Sequence, residues 1–169
     1  MASSASASLP EPRRRRDGWA EGLDLPDIGL VARIVRLNLL VTRLVETIAV
    51  DAGIAASDYL VLAVVRRSPG HRTSPTHICE LLGRSTGGMT LTLDRLEAAG
   101  WLTRAPDPTD RRRVVVELTD TGLELSTQVN DALHGWERSL RLGRAQRAAM
   151  LSSVDALLEL FETAAAEHA

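Results

Sequence analysis

Lysine is absent: all twenty basic residues of this 169-residue chain are arginines. That excludes a Walker-type phosphate loop, a Schiff-base site and any lysine nucleophile, since each needs an amine that no side chain here carries. Aromatics are scarce too, with three Trp, one Tyr and one Phe. Five rings are too few for a sheet that reads single-stranded nucleic acid by stacking bases. One cysteine excludes an intramolecular disulfide and a multi-cysteine metal knuckle, so nothing requires an oxidising compartment. The run Arg13 to Arg16 is followed by Asp17, Gly18 and Glu21 rather than by the apolar core of a secretory signal. A cytoplasmic protein is therefore expected. Missing as well are a nucleophile beside a base, paired carboxylates and a glycine-rich phosphate cradle, so neither an enzyme nor a cofactor is expected.

What is present is one domain's worth of chain with a 44% hydrophobic share and a net charge of −2, the profile of a soluble globular protein. The small net charge conceals a distribution. Residues 1–56 carry 7 Arg and 7 acids, 57–119 carry 9 Arg and 7 acids, and 120–169 carry 4 Arg and 8 acids. Only the middle third is positive, which points to a central module facing nucleic acid.

Residues 1–26 hold Ser/Ala repeats and the Arg run without an apolar period, and read as a mostly disordered arm. From Asp27, the expected cap, Leu30, Ile34, Leu37, Val41, Leu44 and Ile48 recur at threes and fours, the signature of an amphipathic helix within 27–56. Arg33, Arg36, Arg43 and Glu46 interrupt its apolar surface, so it packs on protein and does not enter a membrane. Ser57 is read as the cap of a helix to Arg67 with Leu60, Val61, Val64 and Val65 inward. Ser74-Pro75 reads as cap and first helical position, Ile78, Leu81 and Leu82 as an inward stripe, and Gly83 as the stop. Ser85 then caps a second helix, Thr86 to Ala99, that buries Met89, Leu93 and Leu96 and ends at Gly100. Trp101–Arg104 and Val114–Leu118 form a hairpin around a Pro-containing turn. Thr119 caps a helix to Leu142, and Gly143 separates it from a last helix over 144–166 striped by Leu151, Val154, Leu157, Leu158 and Phe161.

Two short helices at a tight turn, followed by a basic-tipped hairpin, make a winged helix-turn-helix. The expected fold is mainly α with a small β-hairpin wing: a DNA-binding lobe over 57–119, flanked by long N- and C-terminal dimerisation helices at 27–56 and 120–169. Small residues at the start of the second helix allow close approach to a duplex. Its outward face is Gly87, Leu91 and Asp94 with Thr90 and Arg95 beside them, while Ser74, Ser85 and Thr86 are placed to donate to phosphate. Arg95 can reach a guanine edge and Leu91 a thymine methyl. At the hairpin tip, alternation sends Arg112 one way and Arg111 and Arg113 the other, and Arg112 suits the negative potential of a narrow minor groove.

Asp94-Arg95-Leu96-Glu97, Gly100-Trp101-Leu102, Asp107-Pro108-Thr109-Asp110-Arg111-Arg112 and Leu118-Thr119-Asp120-Thr121-Gly122, in that order, resemble the MarR family of regulators, and the flanking helices extend the likeness over about residues 27–165. The resemblance implies a homodimer with winged lobes that binds pseudo-palindromic double-stranded DNA, often as a repressor relieved by a small-molecule effector. Members often carry Arg where this chain has Leu91, so base reading by the second helix departs from the family pattern. The family's effector pockets lie between the dimer helices and the winged lobe, which makes Arg43, Tyr59, His134 and Trp136 lining residues, with ordinary core or interface roles as the alternative.

Other readings compete. One branch of the family senses oxidants through a cysteine on its first long helix, whereas Cys79 lies four residues before Gly83, where the motif wants a small buried residue. An oxidant sensor acting through Cys79 stays as an alternative. His71, His77 and Cys79 are an incomplete ligand set, and no metal is expected. A winged helix that binds protein instead of DNA would show an apolar or acidic second helix; Leu91 and Asp94 lean that way and Arg112 leans against.

Overall fold

The computed structural model describes residues 29–107, 110 and 113–167. Asp27, expected as a cap, lies outside them. The described residues fall into two compact units, 29–134 and 135–167.

The first unit opens with α1 (Leu30–Asp51), whose N-cap position is Gly29, with no side chain capping it. The buried residues of α1, Ile48 and Ala49, lie at its C-terminal end. Its periodic Leu30, Leu37 and Val41 are exposed, as are Val31, Val35, Leu39 and Leu40, so apolar side chains stand in solvent on more than the one expected face. α2 (Ala56–Arg67) starts one residue before the proposed cap: Ala55 holds the N-cap position, and Ser57 instead sits in the first turn beside Asp58, 3.4 Å from its carboxylate. The acid in the first turn complements the positive end of the helix dipole, while no side chain makes a capping hydrogen bond there. Val61, Leu62 and Val65 are buried, but Leu60 is exposed and not inward as its spacing suggested.

Ser74 and Pro75 start α3 (Pro75–Leu82), the His77 N–H donating to Ser74 Oγ at 3.2 Å. Gly83 closes it at φ 61°, a left-handed backbone that a side chain would strain. Ile78 and Cys79 are buried, whereas Leu81, expected on the inward stripe, is 59% exposed. In a helix of only eight residues the buried stripe is one turn long, so a side chain one position from it is already in water. Ser85 caps α4 (Thr86–Ala98), accepting from the Gly88 N–H at 3.4 Å, and Met89, Leu93 and Leu96 are buried as their spacing requires.

A three-stranded antiparallel sheet of order β1-β3-β2 replaces the expected two-stranded hairpin. β1 (Arg72–Thr73) pairs with β3 (Val114–Leu118), Arg72 opposite Glu117, and β2 (Leu102–Pro106) pairs along the other edge of β3, Leu102 opposite Leu118. β3 is thereby central, and its neighbouring Val115 and Val116 are both buried. α5 (Asp120–Ser139) follows. Thr119 caps it, accepting from the Gly122 N–H at 3.0 Å while its own hydroxyl donates to the Gly100 carbonyl at 2.7 Å. The helix ends at Ser139, short of the expected Leu142, and Arg141 takes a positive φ of 51°. On its N-terminal half Ser126 and Val129 are buried, and the Arg66 guanidinium of α2 donates to Ser126 Oγ at 3.2 Å and to Asn130 Oδ1 at 2.7 Å.

The second unit holds the end of α5 and α6 (Arg144–Glu167), with an Arg147–Glu137 ion pair at 2.8 Å. None of the described residues of α6 is buried, and Leu151, Val154, Leu158 and Phe161 are all exposed. No single described helix is long and apolar enough to cross a membrane.

Candidate nucleic-acid interface

The outer face of α4 opens on small residues and turns larger one turn on. Gly87 has open space where a Cβ would stand, Thr86 and Thr90 are exposed, and Leu91 is 69% exposed. Backbone can therefore approach a surface closely, with the amides of the first turn and the dipole's positive end leading. The Thr90 hydroxyl donates back to the Thr86 carbonyl at 3.0 Å, which leaves its oxygen lone pairs as what it offers outward. Ser74 and Ser85 are both N-caps, so their oxygens accept from their own helices while each O–H is left to donate.

Arg95 is placed differently from the sequence reading. Its Nε donates to Asp58 Oδ2 at 2.8 Å and its Nη2 to Asp58 Oδ1, a two-pronged pair that ties α4 to α2. Asp58 is 6% exposed and Arg95 56%, so the carboxylate is the partner that depends on the pair. The hydrogen bond to Asp58, then its charge, raises the Arg95 pKa above the ordinary arginine value. Two of its three nitrogens are thus held within the lobe, while the side chain stays 56% exposed.

Sequence reasoning passed over Arg104. On β2 it donates from Nη1 to Asp94 at 2.7 Å and to Glu97 at 3.0 Å, from Nη2 to the Thr90 carbonyl at 3.3 Å, and from its backbone N–H to Glu97 Oε1 at 3.1 Å. The available signal was the spacing of Thr90, Asp94 and Glu97, one face of a helix.

At the wing, the Asp107 N–H donates to the Arg113 carbonyl at 2.9 Å and the Arg113 N–H to the Asp110 carbonyl at 2.8 Å, while the two side chains of Arg113 and Asp110 pair at 3.5 Å. Arg113 faces a cleft of about 530 Å³ shared with Ser74, Pro75, Thr76, His77, Glu80 and Val114, which sets a wing arginine beside the start of α3. Arg111 and Arg112 lie outside the described residues.

The four expected effector-pocket residues are not gathered by either described cleft. Arg43 is exposed on α1, Tyr59 is buried in the lobe core, His134 is exposed on α5, and Trp136 lies half-buried in the other unit. The second cleft, about 310 Å³, runs along Leu60, Val64, Arg67, Leu81 and Leu82. Cys79 is buried, and among the described residues no three His, Cys, Asp or Glu side chains gather to hold a metal ion.

Comparison with known proteins agrees with this architecture. A family model described as the MarR family matches residues 52–113. The chain is 34% identical over 108 residues to the HTH-type transcriptional regulator PecS of Dickeya dadantii, covering 63% of this chain and 65% of that protein. It is 33% identical over 86 residues to the multiple antibiotic resistance protein MarR of Escherichia coli, covering 51% and 58%. The matched stretches thus span less than two thirds of these relatives. Among solved structures, wild-type MarR of E. coli in its apo form superposes with a TM-score of 0.66 at 27% identity over 78% of this chain and 97% of that one. A mutant MarR of E. coli complexed with operator DNA gives 0.61 at 26% identity over 85% and 99%. With the family's motifs standing in that order along the sequence, and with a fold that superposes on solved MarR structures, the chain is similar to the MarR family in its helix-turn-helix segment and in its architecture.

Proposed function

We propose that this chain is a transcriptional regulator that binds double-stranded DNA sequence-specifically as a homodimer in the cytoplasm, repressing until a small-molecule effector releases it. The observation that carries the reading is the start of α4, capped by Ser85 and open at Gly87, in a lobe whose wing sets Arg113 beside the start of α3. The MarR mutant solved with operator DNA shares this fold and supports the same use here. Leu91 meets apolar base edges, the Ser74, Ser85 and Thr86 groups meet phosphate, and Arg112, with Arg111 secondary, enters the minor groove. Arg95 holds α4 through Asp58, and its exposed side chain stays a candidate for the base edge. Dimerisation is supported by α1 and α6, whose exposed leucines and valines amount to more apolar surface than a monomer keeps in water. Effector relief rests on the family likeness. Arg43, His134 and Trp136 stay candidates for its pocket, and Tyr59 is assigned to the core.

Selection of bound fragments from random or genomic duplex DNA, with sedimentation of the free protein, tests this. An inverted repeat bound by a dimer is expected, with Arg112→Ala weakening it by about 1–3 kcal/mol and Arg111→Ala by less. A monomer, or no sequence enriched over bulk DNA, would refute it.

A further inference from the structure

The outward strip of α4 is bracketed by two guanidinium groups. At about 100° per residue, Thr90, Asp94 and Glu97 form one edge of the strip carrying Gly87 and Leu91, and Arg95 forms the other. Arg95 reaches back to Asp58 on α2, and Arg104 reaches across from β2 to all three residues of the first edge. The Arg104 side chain is 26% exposed, with two carboxylates and a helix carbonyl as its partners. Its backbone N–H is held by the same Glu97 that holds its guanidinium, so strand and side chain are fixed to α4 together. No other described side chain makes a hydrogen bond or ion pair between β2 and α4.

We propose that Arg104 is a positioning residue for DNA recognition: it locks the wing to α4 so that both reach the duplex at one fixed spacing, without itself touching DNA. The inference rests on the DNA-binding reading above. A wing and a recognition helix that must enter neighbouring grooves gain affinity only if their separation is set before contact, because each degree of freedom frozen on binding is subtracted from affinity. The planar fork of arginine can take Asp94 and Glu97 on one nitrogen and the Thr90 carbonyl on the other; an ammonium of similar length concentrates its donors at one point and cannot span them.

The test is binding of the full chain to its selected duplex and to a scrambled duplex over a salt series, for wild type, Arg104→Ala, Arg104→Lys and Asp94→Ala, with circular dichroism melts to establish folding at the assay temperature. Expected are a loss of about tenfold to a hundredfold in specific affinity for Arg104→Ala, an intermediate loss for Arg104→Lys, and little change on scrambled DNA. The slope of log K against log salt is expected to match wild type, since no phosphate contact is removed. Asp94→Ala, which takes a negative charge away from the DNA face, is expected to lose specificity and not to gain it. Should Arg104→Ala fail to fold, the Lys and Asp94 variants decide. Wild-type specificity in every variant, Arg104→Lys equal to wild type, or a slope reduced by about 0.9 in Arg104→Ala would each overturn the positioning role. Wild type without specific binding overturns the DNA reading itself, a failure seen before any variant is measured.

Discussion

Gly122→Ala is the sharpest stability test of the way α5 docks on the lobe. Gly122 lies in the first turn of α5, backed against the main chain of Trp101, and a Cβ built there falls 1.8 Å from the Trp101 carbonyl oxygen and 2.7 Å from its carbon. Carbon and oxygen need over 3 Å, so helix and strand start must separate by about 1.5 Å, and the obstacle is backbone, which has no rotamer to yield. The movement strains two hydrogen bonds at the same junction, Thr119 Oγ1 to the Gly100 carbonyl at 2.7 Å and the Thr119 N–H to the Trp101 carbonyl at 3.2 Å. Overpacking at the upper end of its range, about 3 kcal/mol, plus about 1 kcal/mol from weakened hydrogen bonds, is offset by about 1 kcal/mol of helix propensity gained over glycine. The net loss is about 3 kcal/mol, or a fall in Tm of about 6–12 °C for a chain of this size. Gly135→Ala is the internal control. It sits in the same helix with only the flexible Arg138 guanidinium nearby, at 3.8 Å, and gains about 0.5–1 kcal/mol. Urea and thermal unfolding measure both. Equal stability of Gly122→Ala and wild type, or a loss at Gly135 as large as at Gly122, would refute the close approach.

The Asp58–Arg95 pair is asymmetric: Arg95→Ala strands a buried carboxylate and is expected to cost about 2–3 kcal/mol, whereas Asp58→Ala leaves a half-exposed guanidinium that water can solvate and costs about 1–2 kcal/mol, as unfolding titrations will rank. Because the Arg95 pKa is raised, its share of stability is complete below the unfolded value and is lost only as pH climbs through the folded one, so the gap between wild type and Arg95→Ala is expected to stay flat from about pH 7 to about pH 10; a gap that closes in that window contradicts the assignment. Cys79 is buried on α3, so Cys79→Ala is expected to lower Tm modestly and Cys79→Ser further, by the cost of about 1–3 kcal/mol for burying a hydroxyl without a partner. Peroxide is expected not to release DNA from the wild type; rapid thiol-reversible release, absent in Cys79→Ala, would make oxidant sensing the mechanism.

Local chemistry was legible in the sequence where it was decided locally. Ser74-Pro75, Gly83 and Ser85 each act through a residue within four positions, and the caps and the left-handed stop stand where those residue types require them. The buried stripe of α4 was readable because three apolar residues at helical spacing face one core. β1 was not, because two residues that pair through backbone alone leave no periodic trace. Leu60 and Leu81 were misplaced because a hydrophobic residue near a stripe reads as part of it, and only the packing of α2 against α3 decides which flank meets water. The role of Arg95 depended on Asp58, 37 positions away, and that of Arg104 on carboxylates presented by a different element. Charge alone says that an arginine will find a partner; the fold chooses between a phosphate and a carboxylate.

Hydroxyl-radical footprinting of the selected duplex tests the central claim most directly. The account predicts two protected patches related by a dyad, their centres about one helical turn, roughly 10 bp, apart, each with minor-groove protection beside it where the wing enters. A single unsymmetrical patch, or protection that follows bulk DNA without regard to sequence, would contradict it.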